Sequence, residues 1–580
     1  MANFYKDNPE IAEIIDALDL SEVAALLENG FAYSKEYDFA PENAADAIDN
    51  YKRALDVCGK IAGERIEPTA EATDRVGNIL EDDGTVTYTP GIKLAIELYG
   101  KSGLMGATLP YYLGGLNMPC TILTALNDIV SRADCSLMNM FGLQGIAETI
   151  NAFADEDIKR EYVPRLATGE LTGAMVLTEP DAGSDLQSVK TMAYQDEQGN
   201  WFVSGVKRFI TNGCGDVLLV LARTEPGTTN GSGLSCLLVE KCPQVMVRRI
   251  EHKLGINGSP TCEIVFKDAP AKLIGQRRRG LITYVMALMN GARVGISAQG
   301  TGVGEAAYRA AREYAASRKQ FGVTIDTFPA LRELIANMSV DLQASRVLAY
   351  YSSKSVDLEG GLTKKFESLK GTPEAMAVRG RMKKYSAFNK MLTPMAKYYA
   401  SEMAMRVSNN AVSVLGGSGY MKDYPVERYF RDARICSIYE GTSQLQIVAA
   451  IAGVEGGLVP EVVADVLEGV ELDDELKAKT AEIEKLVGEL GEAVKAVKDY
   501  PDGKMYHSLQ ARRLVDAGIA AIVGALFVRL AAKYPAKRLS LEYWLNVQFP
   551  AVRAGLEIAK GGYVKSVTDF ETLAPMPKAE

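Results

Sequence analysis

Histidine and tryptophan are scarce in this chain, and its cysteines are scattered. Among 580 residues there are only two histidines, His252 and His507, and two tryptophans. The eight cysteines include no C-x-x-C pair, so the spacing typical of Cys/His zinc ligands is missing. The sequence therefore predicts neither a metal site of this type nor a framework of disulfide bonds.

An excess of positive charge is also missing. The formal net charge is -10 at pH 7, which argues against general affinity for nucleic acid or for an anionic membrane. The N-terminal run MANFYKDNPEIAEIIDALDL is acidic and lacks the basic and apolar pattern of an export signal. The apolar stretch 517–528 is bounded by Asp516 and Arg529 and is too short to span a bilayer. We expect a cytoplasmic protein with no nucleic-acid partner and no integral membrane segment.

The residues that are present divide the chain into regions of different pattern. Apolar residues recur at helical spacing in most of the chain, whereas short β-rich runs separated by Gly, Asn and Pro occupy the middle. We predict an N-terminal helical extension (1–44), a helical domain (45–171), a central β-domain (172–280), a second helical domain (281–455) and an appended helical domain (456–580). This order is not a βαβ alternation, so the predicted fold is mainly α with a central β-barrel or sandwich.

One glycine-rich stretch resembles part of a dinucleotide-binding fingerprint. It is Gly300-Thr-Gly-Val-Gly304, and no predicted strand precedes it. A true fingerprint follows a strand and opens a helix, whereas this stretch lies inside a helical pattern. We therefore expect small residues that allow close helix packing, and no nucleotide-binding turn.

Five short motifs stand in a fixed order at domain-sized separations. They are LTEPDAGSD (177–185), KRFITNG (207–213), SRKQFG (317–322), LGGSGY (415–420) and IYEGTSQLQ (438–446). Together they resemble the acyl-CoA dehydrogenase family of flavoproteins over roughly residues 45 to 455. The resemblance implies an N-terminal helical domain, a β-barrel and a C-terminal four-helix bundle, with FAD between the last two. The helices after 455 are then an addition to that fold.

The motif IYEGTSQLQ places one carboxylate, Glu440, directly before a glycine and a row of small hydrogen-bonding side chains. Removing an α-proton from a saturated thioester requires a base beside the α-carbon and donors for the charge that develops on the oxygen. The resemblance implies that Glu440 is this base and that its own N–H helps to hold the thioester carbonyl. Gly441 allows close backbone approach, and burial should raise the pKa of Glu440. The family's other base position corresponds to Ala292, which cannot accept a proton.

The resemblance also implies a set of FAD contacts. Phe209 stands where the family usually has tryptophan, so stacking on the flavin is retained without an indole donor. Arg318 and Phe321 would reach the FAD of a neighbouring subunit, so FAD binding would require at least a dimer, and we expect a homodimer. The full set is Met175, Leu177, Thr178, Gly183, Ser184, Phe209, Thr211, Arg318, Gln320, Phe321, Ser413, Gly416, Gly417, Thr442 and Gln444.

Substrate contacts are expected from two helices and two loops. Leu137, Met138 and Phe141 share one face of a predicted helix, Ser131 to Ile150. If they line the acyl pocket, three bulky groups favour a short or medium chain; the alternative, that they are simply core, stays open. The expected substrate-binding residues are Ser184, Asn290, Arg293, Gly441, Leu137, Met138 and Phe141.

The predicted reaction is α,β-dehydrogenation of an acyl-CoA to the trans-2-enoyl-CoA, as in β-oxidation, with electrons passed to electron-transfer flavoprotein. Three alternatives stay open. The C-terminal extension also occurs in long-chain acyl-CoA dehydrogenases. A DNA-binding flavoprotein of the alkylation-response branch has a similar size, although the net charge and the mixed-sign tail oppose it. A flavoprotein of this fold could also catalyse non-redox elimination or react with oxygen.

Overall fold

The computed structural model describes residues 2–142 and 145–577, without the side chains at 142 and 287–290. Its first region is helical, as predicted. Side-chain caps begin two of its helices: Asn43 accepts a hydrogen bond from the Asp46 N–H, and Thr89 accepts one from the Ile92 N–H. The elements are α1 (Pro9–Leu18), α2 (Ser21–Leu27), α3 (Ala44–Ile61), α4 (Glu67–Val76), β1 (Ile79–Leu80), β2 (Val86–Thr87), α5 (Pro90–Lys101), α6 (Cys120–Ala133), α7 (Leu137–Gly142), α8 (Gly145–Phe153) and α9 (Glu156–Ala167).

The prediction of one helix from Ser131 to Ile150 is wrong. α6 ends at Ala133 and α7 begins at Leu137. Between them the Asp134 carboxylate accepts hydrogen bonds from the N–H and the hydroxyl of Ser136, at 2.8 Å and 2.5 Å. Such local bonds compete with the hydrogen bonds of a helix and end α6 here. The helical spacing of apolar residues continues across the break, which is why the sequence indicated a single helix.

The central β-domain is a closed barrel. Its strands are β3 (Gly173–Val176), β4 (Met192–Gln195), β5 (Trp201–Thr211), β6 (Val217–Arg223), β7 (Leu234–Glu240), β8 (Val245–Ile250) and β9 (Thr261–Leu273). The ring runs β6, β4, β5, β9, β7 and back to β6, with β3 added parallel to β6 and β8 antiparallel to β9. Every residue of β6 is buried. This architecture confirms the predicted β-domain and shows that it is a barrel and not a sandwich.

Three long helices dominate the next region. Its elements are α10 (Met286–Ser317), β10 (Lys319–Gln320), β11 (Val323–Thr324), α11 (Pro329–Ser368), α12 (Glu374–Leu415), α13 (Val426–Ala433) and α14 (Ser443–Glu455). The stretch Gly300–Gly304 lies inside α10, as predicted. A Cβ at Gly300 would lie 2.7 Å from the Ala400 carbonyl oxygen, and one at Gly302 would lie 2.3 Å from that of Asp128. These glycines therefore allow α12 and α6 to pack closely on α10.

The chain ends in an appended group of helices, as predicted. They are α15 (Leu458–Leu467), α16 (Asp474–Lys498), α17 (Gly503–Lys533), α18 (Arg538–Lys560), α19 (Lys565–Thr568) and α20 (Phe570–Leu573). α17 is long and apolar enough to cross a membrane, but 89% of its most apolar window is buried inside the protein. It packs against α11, α14, α16 and α18, so it is a core helix.

The N-terminal extension is bound to these C-terminal helices. The Arg529 guanidinium donates a hydrogen bond to the Ala17 carbonyl oxygen at 2.7 Å. Lys533 forms an ion pair with Asp16, also at 2.7 Å. Because both basic residues lie on α17 and both acceptors on α1, the two ends of the sequence form one packed unit.

Candidate functional site

The predicted base lies on a left-handed turn. Glu440 has a φ of 51°, and Gly441 follows with a φ of 88°. A left-handed conformation is uncommon for a residue with a side chain and is usually maintained by its surroundings. α14 begins directly after the turn, and the Thr442 hydroxyl caps it by accepting a hydrogen bond from the Leu445 N–H at 3.4 Å.

Two side chains hold the carbonyl oxygens of this turn. Lys397, on α12, donates from Nζ to the Gly441 oxygen at 2.7 Å. The Gln446 amide donates to the Glu440 oxygen at 3.1 Å and to the Gly441 oxygen at 3.0 Å. Both side chains are completely buried. The unusual backbone of the base is therefore fixed from both sides.

The electrostatics of the turn suit a base that acts near neutral pH. Glu440 is half-buried, and loss of solvent raises its pKa to about 7, against the opposing pull of Lys397 and Arg293. Burial lowers the pKa of Lys397 to about 8, and it also lowers that of Arg293. A carboxyl with a pKa close to the working pH can both remove and release a proton.

A polar network lies beside the base. The Tyr439 hydroxyl contacts the side-chain oxygen of Gln299 and lies 3.0 Å from that of Asn139. The Asn139 amide donates to the Ser259 hydroxyl at 3.2 Å, and the Gln299 amide donates to the Cys135 carbonyl oxygen at 2.9 Å. This network joins α7 and α10 to the residue preceding Glu440.

The three predicted acyl-pocket residues do not lie in one group. Met138 packs with Ile296 and against Tyr439, so it is close to the turn of the base. Leu137 and Phe141 belong to the main core of the helical region, where the Phe141 ring contacts the Tyr99 ring edge-on at 5.3 Å. Because α7 is a separate helix, the direction in which its side chains point cannot be obtained by counting helical turns from Ser131.

The motifs at 177–185 and 207–213 lie together at one end of the barrel. The Arg208 N–H donates to the Thr178 carbonyl oxygen at 2.9 Å. Lys207 is completely buried; its ammonium donates to the Leu177 carbonyl oxygen at 2.8 Å and forms a 3.0 Å ion pair with Glu179. In the loop that follows, Gly183 and Ser184 are exposed, whereas Met175 and Thr178 are partly exposed and Leu177 is buried.

Phe209 and Thr211 are separated by an irregularity that the sequence did not predict. A bulge shifts the pairing of β5 with β9 between Lys207 and Ile210, and Phe209 has a φ of 60°. The rule that residues two apart on a strand share a face therefore does not apply here. The Phe209 ring is 53% exposed and Thr211 is half-buried.

The motifs at 317–322 and 415–420 also lie together. The Tyr314 hydroxyl, one turn before the end of α10, donates to the Ser418 hydroxyl at 3.3 Å. β10 and β11 form a hairpin whose tip carries Phe321, 93% exposed. Arg318 and Gln320 on this hairpin are exposed, and so are Ser413, Gly416 and Gly417 at the end of α12.

Three predicted contacts remain. Gln444 is exposed on the first turn of α14. Arg293 lies on α10, within electrostatic range of Glu440. The side chain of Asn290 lies outside those that the structure describes.

The residues present fit a flavin dinucleotide by the chemistry of their donors. A side-chain carbon built at Gly416 or Gly417 meets nothing within 4 Å, so the backbone there is open to an approaching group. Phe209 and Phe321 offer exposed aromatic rings, although the Arg208 guanidinium lies 4.7 Å from the centre of the Phe209 ring, and Thr178 and Ser184 offer hydroxyl donors. Within the described ranges no group of three or more His, Cys, Asp or Glu side chains could hold a metal ion.

Sequence reasoning missed the residues that surround the turn of the predicted base. These are Asn139, Gln299, Lys397, Tyr439 and Gln446. One signal was available, since Lys397 is the lone cation in the run MLTPMAKYYA. A buried lysine within an apolar stretch needs a specific partner, although the sequence does not say which.

Comparisons with known proteins agree with the five motifs. Family models described as the N-terminal, middle and C-terminal domains of acyl-CoA dehydrogenase match residues 50–170, 174–269 and 279–453. An acyl-CoA dehydrogenase of Bacillus subtilis is 36% identical over 359 residues, covering 60% of this chain and 86% of its own. A 3-methylmercaptopropionyl-CoA dehydrogenase of Ruegeria pomeroyi is 32% identical over 429 residues, covering 69% of both chains.

The C-terminal helices also have a counterpart in a solved structure. The structure of an acyl-CoA dehydrogenase complexed with FAD, from Bacillus anthracis, is 22% identical in sequence. It superposes with a TM-score of 0.73 and covers 91% of this chain and 90% of its own. The likeness therefore extends over the appended helices as well as the three matched domains.

Proposed function

The chain belongs to the acyl-CoA dehydrogenase family, and from that premise we propose that Glu440 removes the α-proton of a short or medium acyl-CoA. Family membership makes it an FAD-dependent oxidoreductase that acts on the CH–CH bond of acyl-CoA thioesters. The proposal adds three points: Glu440 as the base, a trans-2-enoyl-CoA as the product, and a preference for short or medium acyl chains.

The single observation that supports Glu440 as the base is its half-buried carboxyl with a pKa of about 7. It is ionised for much of the time at neutral pH and yet basic enough to accept a carbon-bound proton. Arg293 and Lys397 favour the ionised form. Both cations also attract a second negative charge close by, so in the proposal they stabilise the developing thioester oxyanion as well as the ionised base.

The remaining steps use the backbone of the same turn. In the proposal the Glu440 N–H donates to the thioester oxygen, and Gly441 leaves room for the substrate to approach. When bound, FAD supplies the acceptor for the hydride that leaves the β-carbon. The residues that would hold FAD are the exposed loop at 183–184, Phe209, Thr211, Thr442 and Gln444, together with a second subunit's Arg318 hairpin.

Two observations support a short or medium chain. Met138 packs against Tyr439, and Asn139, Gln299 and Tyr439 form a polar network beside the turn that carries Glu440; in the proposal these side chains limit the length of the acyl pocket. The Ruegeria relative is named for 3-methylmercaptopropionyl-CoA, which is itself a short acyl group. We propose electron-transfer flavoprotein as the electron acceptor on the basis of family membership.

An anaerobic titration of the purified holoenzyme with acyl-CoA esters of increasing length tests this function. We expect the flavin absorbance to bleach most with butyryl-, hexanoyl- or 3-methylmercaptopropionyl-CoA, and least with palmitoyl-CoA. Glu440→Gln should keep FAD and lose about 10²-fold or more of the bleaching rate. The matched control is Glu461→Gln, an exposed carboxyl on α15, which should bleach at the wild-type rate.

Three results would contradict parts of this proposal. A Glu440→Gln variant with more than roughly a tenth of the wild-type rate would show that another group is the base. A palmitoyl-CoA optimum would reject the chain length. Rapid reoxidation of the bleached flavin in air, with no reduction of added electron-transfer flavoprotein, would indicate an oxygen-reacting enzyme.

A further inference from the structure

A cavity with a volume of about 320 Å³ lies between the N-terminal extension, α3 and the turn-rich segment 102–118. A cavity of about 450 Å³ elsewhere is lined by a different set of residues. Part of the wall of the smaller cavity comes from Glu28, Phe39 and Pro41. These residues precede the first family-model match, which begins at residue 50. The cavity is therefore built partly by a segment that the family models do not include.

The floor of this cavity contains a carboxyl that is only half satisfied. Glu28 is 1% exposed. The Tyr111 hydroxyl and the Asn117 amide both donate to its Oε1, at 2.9 Å and 3.0 Å. Its Oε2 has no hydrogen-bond partner among the described residues, and neither has the hydroxyl of buried Tyr51, which also lines the cavity. Buried polar atoms without partners are rare in folded proteins and call for an explanation.

Phe39 and Tyr111 line the cavity, and the rings of Tyr33 and Tyr37 pack behind Tyr111. The Tyr111 ring lies 5.3 Å from the rings of Tyr37 and Phe39 and 6.2 Å from that of Tyr33, centre to centre. Phe39 is 63% exposed and stands at the mouth. Aromatic faces carry partial negative charge, so a group of rings beside a carboxylate attracts a cation.

The cavity's own residues do not supply that cation. Among the described lining residues the one basic side chain is Arg53, which is 70% exposed and paired with Asp49 at 2.5 Å. Burial raises the pKa of Glu28 despite its two donors, as expected of a carboxylate beside which the described residues place no cation. One positive charge placed beside Oε2 would stabilise the ionised form of Glu28 and lower its pKa again.

We propose that this cavity binds a small organic monocation, a primary ammonium group on a short apolar stem. The ammonium N–H groups donate to Glu28 Oε2 and to the Tyr51 hydroxyl oxygen. The stem lies against the rings of Tyr111 and Phe39. A quaternary ammonium satisfies this site less well because it has no N–H to donate.

Binding of butylammonium to the full-length holoenzyme tests the proposal, with butan-1-ol as the neutral probe of matched size. By isothermal titration calorimetry and thermal denaturation we expect butylammonium to bind and to raise Tm, and butan-1-ol to do neither. Glu28→Gln should weaken butylammonium binding at least tenfold, because the amide carries no charge. Glu36→Gln, an exposed carboxyl on the same extension, is the matched control and should bind as the wild type does.

Two outcomes would overturn the proposal. One is binding without a need for the charge: butan-1-ol binds as tightly as butylammonium, or Glu28→Gln binds butylammonium as tightly as the wild type does. The other is no binding of either probe, in which case a buried water joins Glu28 to Tyr51. If Glu28→Gln does not fold, Tyr51→Phe decides, because it removes one predicted partner of the ammonium and keeps the ring. Since none of these residues belongs to the proposed dehydrogenase site, FAD content and acyl-CoA turnover should stay unchanged in the variants.

Discussion

The Lys397 ammonium group donates a hydrogen bond to the Gly441 carbonyl oxygen across 2.7 Å, from a side chain with no exposed surface. Burial lowers the pKa of this lysine to about 8, so the group still carries its proton at neutral pH. The bond connects the middle of α12 to the turn of the base. It fixes the geometry of that turn and places a positive charge within electrostatic range of Glu440.

Lys397→Met should impair the base without removing it. The methionine keeps most of the apolar stem and loses both the hydrogen bond and the charge. Because Lys397 lowers the pKa of Glu440, its loss should move the acid limb of kcat toward higher pH by about one pH unit. The measurement is the pH profile of kcat with FAD content checked at each pH.

The matched control for that variant is Lys390→Met, an exposed lysine on the same helix, whose profile should follow the wild type. If Lys397→Met lowers kcat equally at every pH and leaves the acid limb in place, the lysine acts through structure alone. Its electrostatic role would then be rejected.

The raised pKa of Glu440 should also appear in stability. Between the ordinary pKa of a carboxyl and about 7, the folded protein binds a proton that the unfolded chain has released. The stability that comes from the protonated carboxyl is therefore complete below the ordinary pKa and is lost as the pH rises through about 7. Glu440→Gln should exceed the wild type in Tm at pH 8, and the difference should shrink steadily toward about pH 4, in thermal denaturation of the holoenzyme. An equal difference at both pH values would contradict the raised pKa.

Met138 and Phe141 should respond differently to truncation. Met138→Ala enlarges the space next to Tyr439, so the acyl-CoA optimum should move to longer chains, by up to about 0.8 kcal/mol of binding per added methylene. Phe141→Ala removes a ring packed on Tyr99, so it should cost about 3–5 kcal/mol of stability and leave the chain-length profile unchanged. Steady-state kinetics over the ester series and denaturant unfolding measure the two effects. A shifted optimum in Phe141→Ala alone would instead support the prediction from the sequence that Phe141 lines the acyl pocket.

Arg318→Ala should weaken FAD retention more than it changes turnover per bound FAD. The reason is the predicted contact from its exposed hairpin to the FAD of a second subunit. FAD content after gel filtration, with molar mass from light scattering, gives both quantities. Lys319→Ala, the exposed neighbour on the same hairpin, is the control and should retain FAD. A stable monomer with full FAD content would refute the shared site.

The sequence predicted the parts of this molecule that depend on local pattern. Helical periodicity gave the long helices, and short β-rich runs gave the barrel. The motif around Glu440 predicted that burial raises the pKa of this carboxyl, and burial does raise it; the role of Glu440 as the base stays a prediction. These features were accessible because each is encoded in a short contiguous stretch.

Features that depend on contacts between distant segments were not accessible. Lys397 and Gly441 are 44 residues apart in sequence, and no local pattern indicates that they meet. The break after Ala133 was missed for a different reason: the bonds from Ser136 to the Asp134 carboxylate are local, but the helical spacing of apolar residues on both sides concealed them. The bulge at Phe209 arises from pairing with β9, which follows more than fifty residues later.

The contacts between α1 and α17 have a consequence for synthesis. Arg529 and Ala17 are separated by 512 residues. At about 5–20 residues per second, the ribosome needs roughly 25–100 s to deliver the partner of the first helix. During that time α11, which also packs on α1, emerges first, but the contacts of α1 with α17 are missing. The packing around α1, with Ile11, Ile14, Ile15 and Leu18, is therefore completed only when α17 emerges from the ribosome.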